Sequence, residues 1–381
     1  MNIPGVLALT HKVFRKLKVG KIGGNISLIL NKTLNRAKIR INNEKDAESF
    51  LNSIHKDVKS SAICENEIVA PTCDLQIIMP VYNTGEFLRE SINSVLNQAT
   101  KYSFHLVIVN DGSTDCSSEI LSDFEYDKRV TIINQSNKGF SGARNRGLQK
   151  IFGKYITFLD SDDILAPNAI SNWLDAAYKY DADIVEGSFQ RRTIDGYFFG
   201  GVKWQNESIE DSAKMQGYAW LKVYKAEIWK NLHFPECYWY EDTIICGLIT
   251  PIVNKYVQIP DNVYFYTLNK GSISFNTRGK SKSLDNIYIT KSVMKDADRH
   301  GYIKAAYDYY YKYFIYQTHT NWDRTYLLGA DIEYAVFKES CYLFNKYFPN
   351  DINSNDFPTR LANSLRKEDF NLYRKSNIVD F

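Results

Sequence analysis

The chain has 381 residues, of which 44% are hydrophobic, so it is long enough to bury a large core in one main domain with additions. Its formal net charge is only +3, and no run approaches the ~18 consecutive apolar residues of a transmembrane helix. The six cysteines include no C-x-x-C pair, which argues against a disulfide framework and a zinc site and fits a reducing cytosol. We expect no nucleic-acid partner.

The first 40 residues are basic and contain no acid. Nine lysines and arginines, interleaved with apolar residues, occur before the first acid, Glu44. Such a segment predicts either a helix on an anionic membrane surface or a solvated helical arm that docks a partner. The segment lacks the apolar core and cleavage site of a secretory signal. We therefore expect a cytoplasmic protein that is peripheral at the inner face of the cell membrane.

A regular alternation of strand and helix patterns begins near Leu75. Apolar runs of strand length are separated by segments in which apolar residues recur with helical period. This order predicts an α/β fold with a mostly parallel central sheet, in which ligands bind beyond the carboxyl ends of the strands. The predicted strands cover residues 75–81, 106–109, 130–133 and 155–159 and a short run around Ile184.

The alternation changes after about residue 187. Glycine and aromatic residues predict a hairpin at 187–204, followed by a helix near 218–230 and a strand at 257–267. Beyond residue 284 the pattern is helical and rich in tyrosine and phenylalanine. Aromatic residues at this density indicate a packed core or a packing surface, including one for a homo-oligomer, more than a ligand stack.

Acidic residues follow the predicted strand 155–159 directly. The motif Asp160-Ser161-Asp162-Asp163 places several carboxylates at the carboxyl end of a buried strand. Carboxylate oxygens suit Mg²⁺ and Mn²⁺, which bind through one or two carboxylates plus substrate phosphates. An isolated D-x-D is more often a solvated turn before a helix, so the functional interpretation depends on the neighbouring motifs.

The three other strand ends carry groups suited to a nucleotide. A tyrosine can stack on a base, an aspartate can accept a hydrogen bond from a base or ribose, and glycines with cations at a helix start favour phosphate. Because parallel strands end at one edge, all these groups should meet there. The residues are Tyr82 and Asn83 after Pro80-Val81, then Asp111 and Gly112, then Lys138, Gly139, Arg144 and Arg146.

The segment from about 75 to 190 resembles a family 2 glycosyltransferase with the GT-A fold. The resemblance rests on P-V-Y-N at 80–83, N-D-G-S-T-D at 110–115, N-K-G at 137–139, G-A-R-N at 142–145 and D-S-D-D at 160–163. Asn110 stands where an aspartate is more usual, and no histidine supplies a further metal ligand. The implied organisation has three parts: a basic helical extension and linker at 1–72, a GT-A Rossmann-like catalytic domain at 73–275, and a C-terminal helical region at 276–381. Within the catalytic domain, residues 73–190 form the nucleotide-sugar-binding half and residues 191–275 the acceptor-binding half.

The same resemblance implies the chemistry. The donor is a nucleotide-diphosphate sugar, by family habit a UDP-sugar, and the cofactor is Mn²⁺ or Mg²⁺. Asp242 is implied as the general base of an inverting displacement by a hydroxyl of a glycan or lipid-linked saccharide, and Glu241 as the residue that positions Asp242 or the acceptor. The implied donor residues are Pro80, Val81, Tyr82, Asn83, Asp111, Gly112, Lys138, Gly139, Arg144, Asp160 and Ser161, and the implied metal ligands are Asp162 and Asp160.

Other interpretations stay open at this point. Trp220, Trp239 and Tyr240 offer flat faces to an acceptor sugar, and burial in the core explains them equally well. Residues 272–280, with serines and two cations, could close over the diphosphate. The chain could also be a catalytically silent scaffold that recruits a partner transferase, although its intact acids argue against this class.

Overall fold

A computed structural model of the protein describes residues 39–269, 279–352 and 359–380. The chain divides into two compact units, one within residues 60–272 and the other made of the two flanking segments. Most of the predicted basic helix and of the predicted closing loop lies outside the described residues. No helix among the described residues is long and apolar enough to cross a membrane.

The unit within residues 60–272 is built on one ten-stranded sheet in the order β3-β2-β1-β4-β9-β6-β10-β5, with β7 beside β6 and β8 beside β10. Strands β1 to β4 are all parallel, as predicted, while β9 runs antiparallel between β4 and β6, so that the whole sheet is mixed. The strands are β1 (Glu67–Val81), β2 (Phe104–Asn110), β3 (Val130–Asn134), β4 (Lys150–Phe158), β5 (Ile164–Leu165), β6 (Ile184–Arg192), β7 (Phe198–Val202), β8 (Ser208–Glu210), β9 (Lys222–Lys225) and β10 (Tyr256–Thr267).

Helices connect the parallel strands. Strand residues such as Ile77, Ile108 and Ile156 are fully buried, as expected for a sheet covered on both faces. In α2 the residues Leu88, Ile92 and Val95 recur with helical period and are fully buried. The helices of this unit are α2 (Gly85–Leu96), α3 (Ser117–Ser122), α4 (Gly139–Leu148) and α5 (Ala169–Tyr180); α1 (Glu44–Ile54) belongs to the other unit.

A buried amide fixes the register of the two central strands. The Gln76 side chain in β1 donates to the carbonyls of Gly147 (3.2 Å) and Lys150 (3.1 Å) and accepts from the amides of Phe152 (2.9 Å) and Gly153 (3.3 Å). The β1–β4 register shifts between residues 68 and 73, on the amino-terminal side of this contact. The part of β1 that leads to the strand end is therefore held in one alignment with β4.

Two local predictions were wrong. β1 begins at Glu67, inside the segment predicted to be a linker, because its first half pairs with the start of β4 around a bulge that contains Pro71. Residues 218–230 form no α-helix but the short strand β9 and a 3₁₀ turn at Ala226–Trp229. The aromatic hairpin is confirmed, since β7 pairs with β6 antiparallel.

The described part of the other unit is helical, as predicted. Its tyrosine-rich helix places Tyr310, Tyr311 and Phe314 in the core, where Tyr311 packs against Phe344 and Phe314 packs against Phe348. These aromatic residues are therefore core residues. The C-terminal helices are α6 (Asp285–Arg299), α7 (Tyr302–Ala305), α8 (Tyr307–Thr325), α9 (Ala330–Tyr347), α10 (Thr359–Arg366) and α11 (Phe370–Val379).

Candidate active site

Three loops meet at the carboxyl edge of the parallel strands. The register pairs Val81 of β1 with Asn110 of β2, and Asn110 with Asn134 of β3. On the other side of β1, the amide of Leu159 donates to the carbonyl of Ile78 at 3.1 Å. The residues that follow β1, β2 and β4 therefore lie side by side.

The turn after β1 presents an aromatic ring to solvent. Tyr82 is 48% exposed, so its ring can stack on a planar base. Asn83 has a φ of 52°, and its side-chain oxygen accepts from the amide of Thr114 at 2.7 Å, which links this turn to the one after β2. Pro80 and Val81 are buried within β1, so only their backbone can contribute to a ligand site.

Asp111 is buried at the end of β2 and holds one unpaired oxygen. Its Oδ1 accepts from Gln135 Nε2 (2.7 Å) and from the amide of Lys138 (2.8 Å), whereas Oδ2 is buried without a hydrogen-bond partner among the residues that the structure describes. An unsatisfied buried oxygen costs about 1–3 kcal/mol, so this atom is suited to accept from a bound ligand. Gly112 follows with a φ of 74°, and a Cβ there would lie 3.0 Å from the backbone nitrogen of Asn137.

The helix α4 begins next to this carboxylate. Lys138 is exposed and precedes the helix, and Gly139 has a φ of 75°. A Cβ on Gly142 would lie 2.5 Å from Lys138 Cβ, so a glycine in the first turn allows the lysine to lie against the helix. Backbone amides at a helix start together with a lysine favour phosphate.

The unusual Asn110 has a structural role. Its Nδ2 donates to Asn134 Oδ1 (3.0 Å) and Ser118 Oγ (3.2 Å), and its Oδ1 accepts from the amide of Ser113 (3.1 Å). An aspartate here would have no donor to offer Asn134. The substitution therefore joins the ends of β2 and β3 and leaves Asp111 as the carboxylate of this turn.

Two residues of the acidic motif anchor the loop. Asp163 is buried and accepts from Tyr264 Oη (2.8 Å) and the amide of Thr267 (2.6 Å) of β10. Ser161 accepts from Thr84 Oγ1 at 2.9 Å. Ser161 thus supports the loop through α2, and Asp163 through the last strand.

The other two acids of the motif face the site. The side chain of Asp160 is 26% exposed and lies 2.6 Å from Arg144 Nη2. Burial, and secondarily the charge of Asp160, raises the pKa of Asp162 to about 6, although Asn269 donates a hydrogen bond to it. A carboxylate crowded in this way fits a cation. No group of three or more His, Cys, Asp or Glu able to hold a metal ion occurs within the described ranges.

Arg144 joins the acidic motif to Glu241. Its Nη2 donates to Asp160 at 2.6 Å and its Nη1 to Glu241 Oε1 at 2.5 Å, and the guanidinium lies over the rings of Phe140 and Phe234. The arginine is 6% exposed. The prediction that Arg144 binds the nucleoside stays a prediction, while its visible contacts are to two carboxylates.

The predicted acid pair stands at the start of an irregular helix. Burial raises the pKa of Glu241 to about 7; the Arg144 cation opposes this rise, and Asp242 adds to it. Asp242 is half-buried, and its carbonyl accepts from the amide of Ile245 at 2.9 Å. The segment after Asp242 contains a π-helix at Ile245–Ile249, a form that is frequent at functional sites.

The predicted acceptor aromatics lie in different environments. Trp220 is 8% exposed and stacks against Tyr218 and Tyr264, with ring centroids 4.6 Å away in each case. Its surroundings are those of a core residue. Trp239 and Tyr240 are half-buried beside the acid pair, with their ring centroids 6.3 Å apart.

Sequence reasoning missed two groups at this site. Gln135, which holds Asp111, directly follows β3, so the rule that ligands bind at strand ends could have identified it. Asn269, which donates to Asp162, lies two residues after β10, so the same rule could have identified it.

The sheet and its edge define a GT-A, Rossmann-like nucleotide-diphospho-sugar transferase fold. The Staphylococcus aureus TarS structure of residues 1–349, solved with UDP-GlcNAc, matches with a TM-score of 0.63 and 16% identity over 80% of this chain and 90% of TarS 1–349. The model of glycosyl transferase family 2 matches residues 76–233.

Two curated relatives come from Streptococcus pneumoniae serotype 4. Glycosyltransferase GlyG is 33% identical over 218 residues, which cover 52% of this chain and 72% of GlyG. Glycosyltransferase GlyA is 32% identical over 218 residues, which cover 52% of this chain and only 31% of GlyA. The chain therefore belongs to glycosyl transferase family 2.

Proposed function

We propose that the protein transfers a sugar, with inversion and with Mn²⁺ or Mg²⁺, from a nucleotide-diphosphate donor to a hydroxyl of a glycan or lipid-linked saccharide. The observation that carries the proposal is the Arg144 bridge between Asp160 and Glu241. It connects the acidic motif proposed for the donor to the acid pair proposed for the acceptor. Both substrates must be held close together for reaction, and this bridge places the two groups of acids side by side.

The donor is proposed to be a UDP-sugar. The unpaired Asp111 Oδ2 is suited to accept from a base imide or a ribose hydroxyl, and the exposed ring of Tyr82 is suited to stack on the base. Lys138 and the start of α4 favour the diphosphate. The likeness of the fold to TarS, whose structure contains UDP-GlcNAc, supports uracil as the base.

The proposed reaction is a direct displacement. The acceptor oxygen attacks C1 of the sugar from the face opposite the diphosphate, and the C1–O bond breaks with its electron pair leaving on the diphosphate. Asp242 takes the proton of the hydroxyl. Asp160 and Asp162 would hold the metal ion, which, when bound, neutralises the leaving diphosphate as a Lewis acid. Glu241, held by Arg144, fixes the start of the segment that carries Asp242.

The test is a donor screen with the purified full chain. Nucleotide sugars are supplied with Mn²⁺ and saccharide acceptors, and diphosphate release and product are followed. One donor should give acceptor-dependent release, and an α-linked donor should give a β-linked product, read from the anomeric coupling constant. Nucleotide binding without release or transfer would favour the silent scaffold, and no metal-dependent nucleotide binding would refute the assignment of the site.

The base is tested by substitution. Asp242→Asn should lower transfer about 10²- to 10⁴-fold and leave nucleotide affinity unchanged. Asp261→Asn, at an exposed position of β10, is the matched control and should change neither quantity. Transfer by Asp242→Asn at a rate near that of the wild type would remove Asp242 as the base.

We further propose that the protein acts at the cytoplasmic face of the cell membrane. The basic pattern of the N-terminal 40 residues supports this location, since such segments bind anionic lipid surfaces. Sedimentation with vesicles that contain anionic lipid, compared with neutral vesicles, tests it.

A further inference from the structure

A charged pair is buried next to the acid-pair segment. Lys222 of β9 is wholly buried, and its Nζ donates to the carbonyls of Gln216 (2.8 Å) and Tyr218 (2.7 Å) and lies 3.6 Å from Glu186 Oε2. Glu186, also wholly buried, accepts from the amide of Gln216 and from Tyr256 Oη at 2.9 Å. Burial lowers the pKa of Lys222 and raises that of Glu186, so each charge depends on the other and on these hydrogen bonds.

Stability alone is a weak reason for this arrangement. Desolvation offsets most of the attraction in a buried ion pair, and apolar residues of similar volume are often as stabilising. The lysine also does more than neutralise Glu186, because two of its donors hold the backbone of residues 216–218. The pair therefore fixes the conformation of one particular segment.

That segment packs against the π-helix that follows Asp242. A Cβ built on Gly217, between the two carbonyls that Lys222 holds, would lie 3.3 Å from Cys246 Sγ. Cys246 lies within the π-helix Ile245–Ile249, and the amide of Ile245 donates a hydrogen bond to the carbonyl of Asp242. The contacts thus run from Lys222 through residues 216–218 to the helix start that carries Asp242.

We propose that Lys222 is a positioning residue for Asp242, acting through residues 216–218 and the π-helix. The inference rests on the proposed function for the role of Asp242, but the mechanical link from Lys222 to the π-helix does not. It can therefore be tested separately. Displacement of a reacting group by about 1 Å can cost a hundredfold in rate, so a loosened π-helix should appear in turnover.

The first arm of the test needs no activity. Lys222→Met is made in the full chain, and backbone amide exchange is followed by mass spectrometry. Exchange should accelerate at 216–218 and 245–249 and stay unchanged in β1 and β2. Lys225→Met, on the same strand in a half-exposed pair with Asp181, is the matched control and should leave both segments unchanged. Unchanged exchange at 245–249 in Lys222→Met would overturn the proposal.

The second arm measures turnover. Lys222→Met should lower kcat for transfer about 10- to 100-fold, keep nucleotide affinity within about twofold, and add nothing to the defect of Asp242→Asn. Equal losses of nucleotide affinity and kcat, or defects that add to those of Asp242→Asn, would indicate a general structural effect and overturn the proposal. If the wild type transfers no sugar, the proposed function fails, and the amide-exchange measurement alone then tests whether Lys222 holds the π-helix in place. If Lys222→Met does not fold, the pair Glu186→Gln with Lys222→Met removes both buried charges and has the same expected outcomes.

Discussion

Replacing Arg144 by glutamine removes a cation that contacts both Asp160 and Glu241. Both carboxylates keep their places, but each loses its hydrogen bond of 2.5–2.6 Å. Removal of one partner from a buried ion pair costs about 3–5 kcal/mol, because the remaining charge is left uncompensated. For a unit of this size, 1 kcal/mol corresponds to roughly 2–4 °C, so Tm should fall by roughly 6–20 °C.

The assay is calorimetric melting of the full chain, with Arg89→Gln as the matched control. Arg89 forms a pair with Asp123 at 2.5 Å, but both side chains are about half exposed, so its loss should cost only about 0–1 kcal/mol. Because burial raises the pKa of Glu241 to about 7, Glu241 is protonated at pH 5 and charged at pH 8. The penalty of Arg144→Gln should therefore be smaller at pH 5. A Tm within about 2 °C of the wild type, or an equal penalty at both pH values, would refute this reasoning.

Three further predictions concern the proposed nucleotide site at the carboxyl edge of the parallel strands. Since the pKa of Asp162 is raised to about 6, the folded state keeps a proton on Asp162 at pH values where the unfolded chain has lost it. Stability without metal should therefore fall as pH rises from about 4 to 6, and Mn²⁺ should stabilise the protein more at pH 7.5 than at pH 5. An equal Mn²⁺ effect on Tm at both pH values, or one that survives in Asp162→Asn, would contradict the assignment. Asp111→Asn keeps an acceptor at Oδ1 but puts a donor in place of the unpaired Oδ2, so UDP affinity should fall about 5- to 150-fold by calorimetry, with Tm nearly unchanged; an unchanged Kd would exclude Asp111 from the site. Gly112→Ala combines a φ of 74° with a contact at 3.0 Å and should lower Tm more than Gly196→Ala, where φ is 82° and the space is open; equal effects would remove the contact as a cause.

The nucleotide half of the fold was predictable because its signals are local. Each parallel strand ends in a short apolar run, and each functional turn follows its strand closely, so that Asp111 and Asp160 could be placed at one edge from order alone. The acceptor half was not predictable in this way. Strand β9 contains four residues and takes its place from antiparallel pairing with β4 and β6, which no pattern within residues 218–230 reveals.

Side-chain roles within the motifs also required the structure. Sequence cannot separate Asp163, which anchors the loop to β10, from Asp162, which faces the site, because they are adjacent. Sequence also cannot reveal the partner of Arg144, because Glu241 lies almost a hundred residues away along the chain. For Trp220, packing and sugar stacking give the same sequence pattern, and only the two tyrosine rings stacked against it distinguish them.

The Gln76 amide has a consequence for how this protein tolerates changes in length. Insertions or deletions between residues 68 and 73 fall where the alignment of β1 with β4 is already irregular, and the four hydrogen bonds of Gln76 lie between that region and the strand end. Variation there should be absorbed locally, whereas a single residue added between Gln76 and Val81 would rotate every following side chain to the opposite face. The Gln76 amide thus separates the first half of β1, where insertions and deletions should be tolerated, from the second half, where they should not.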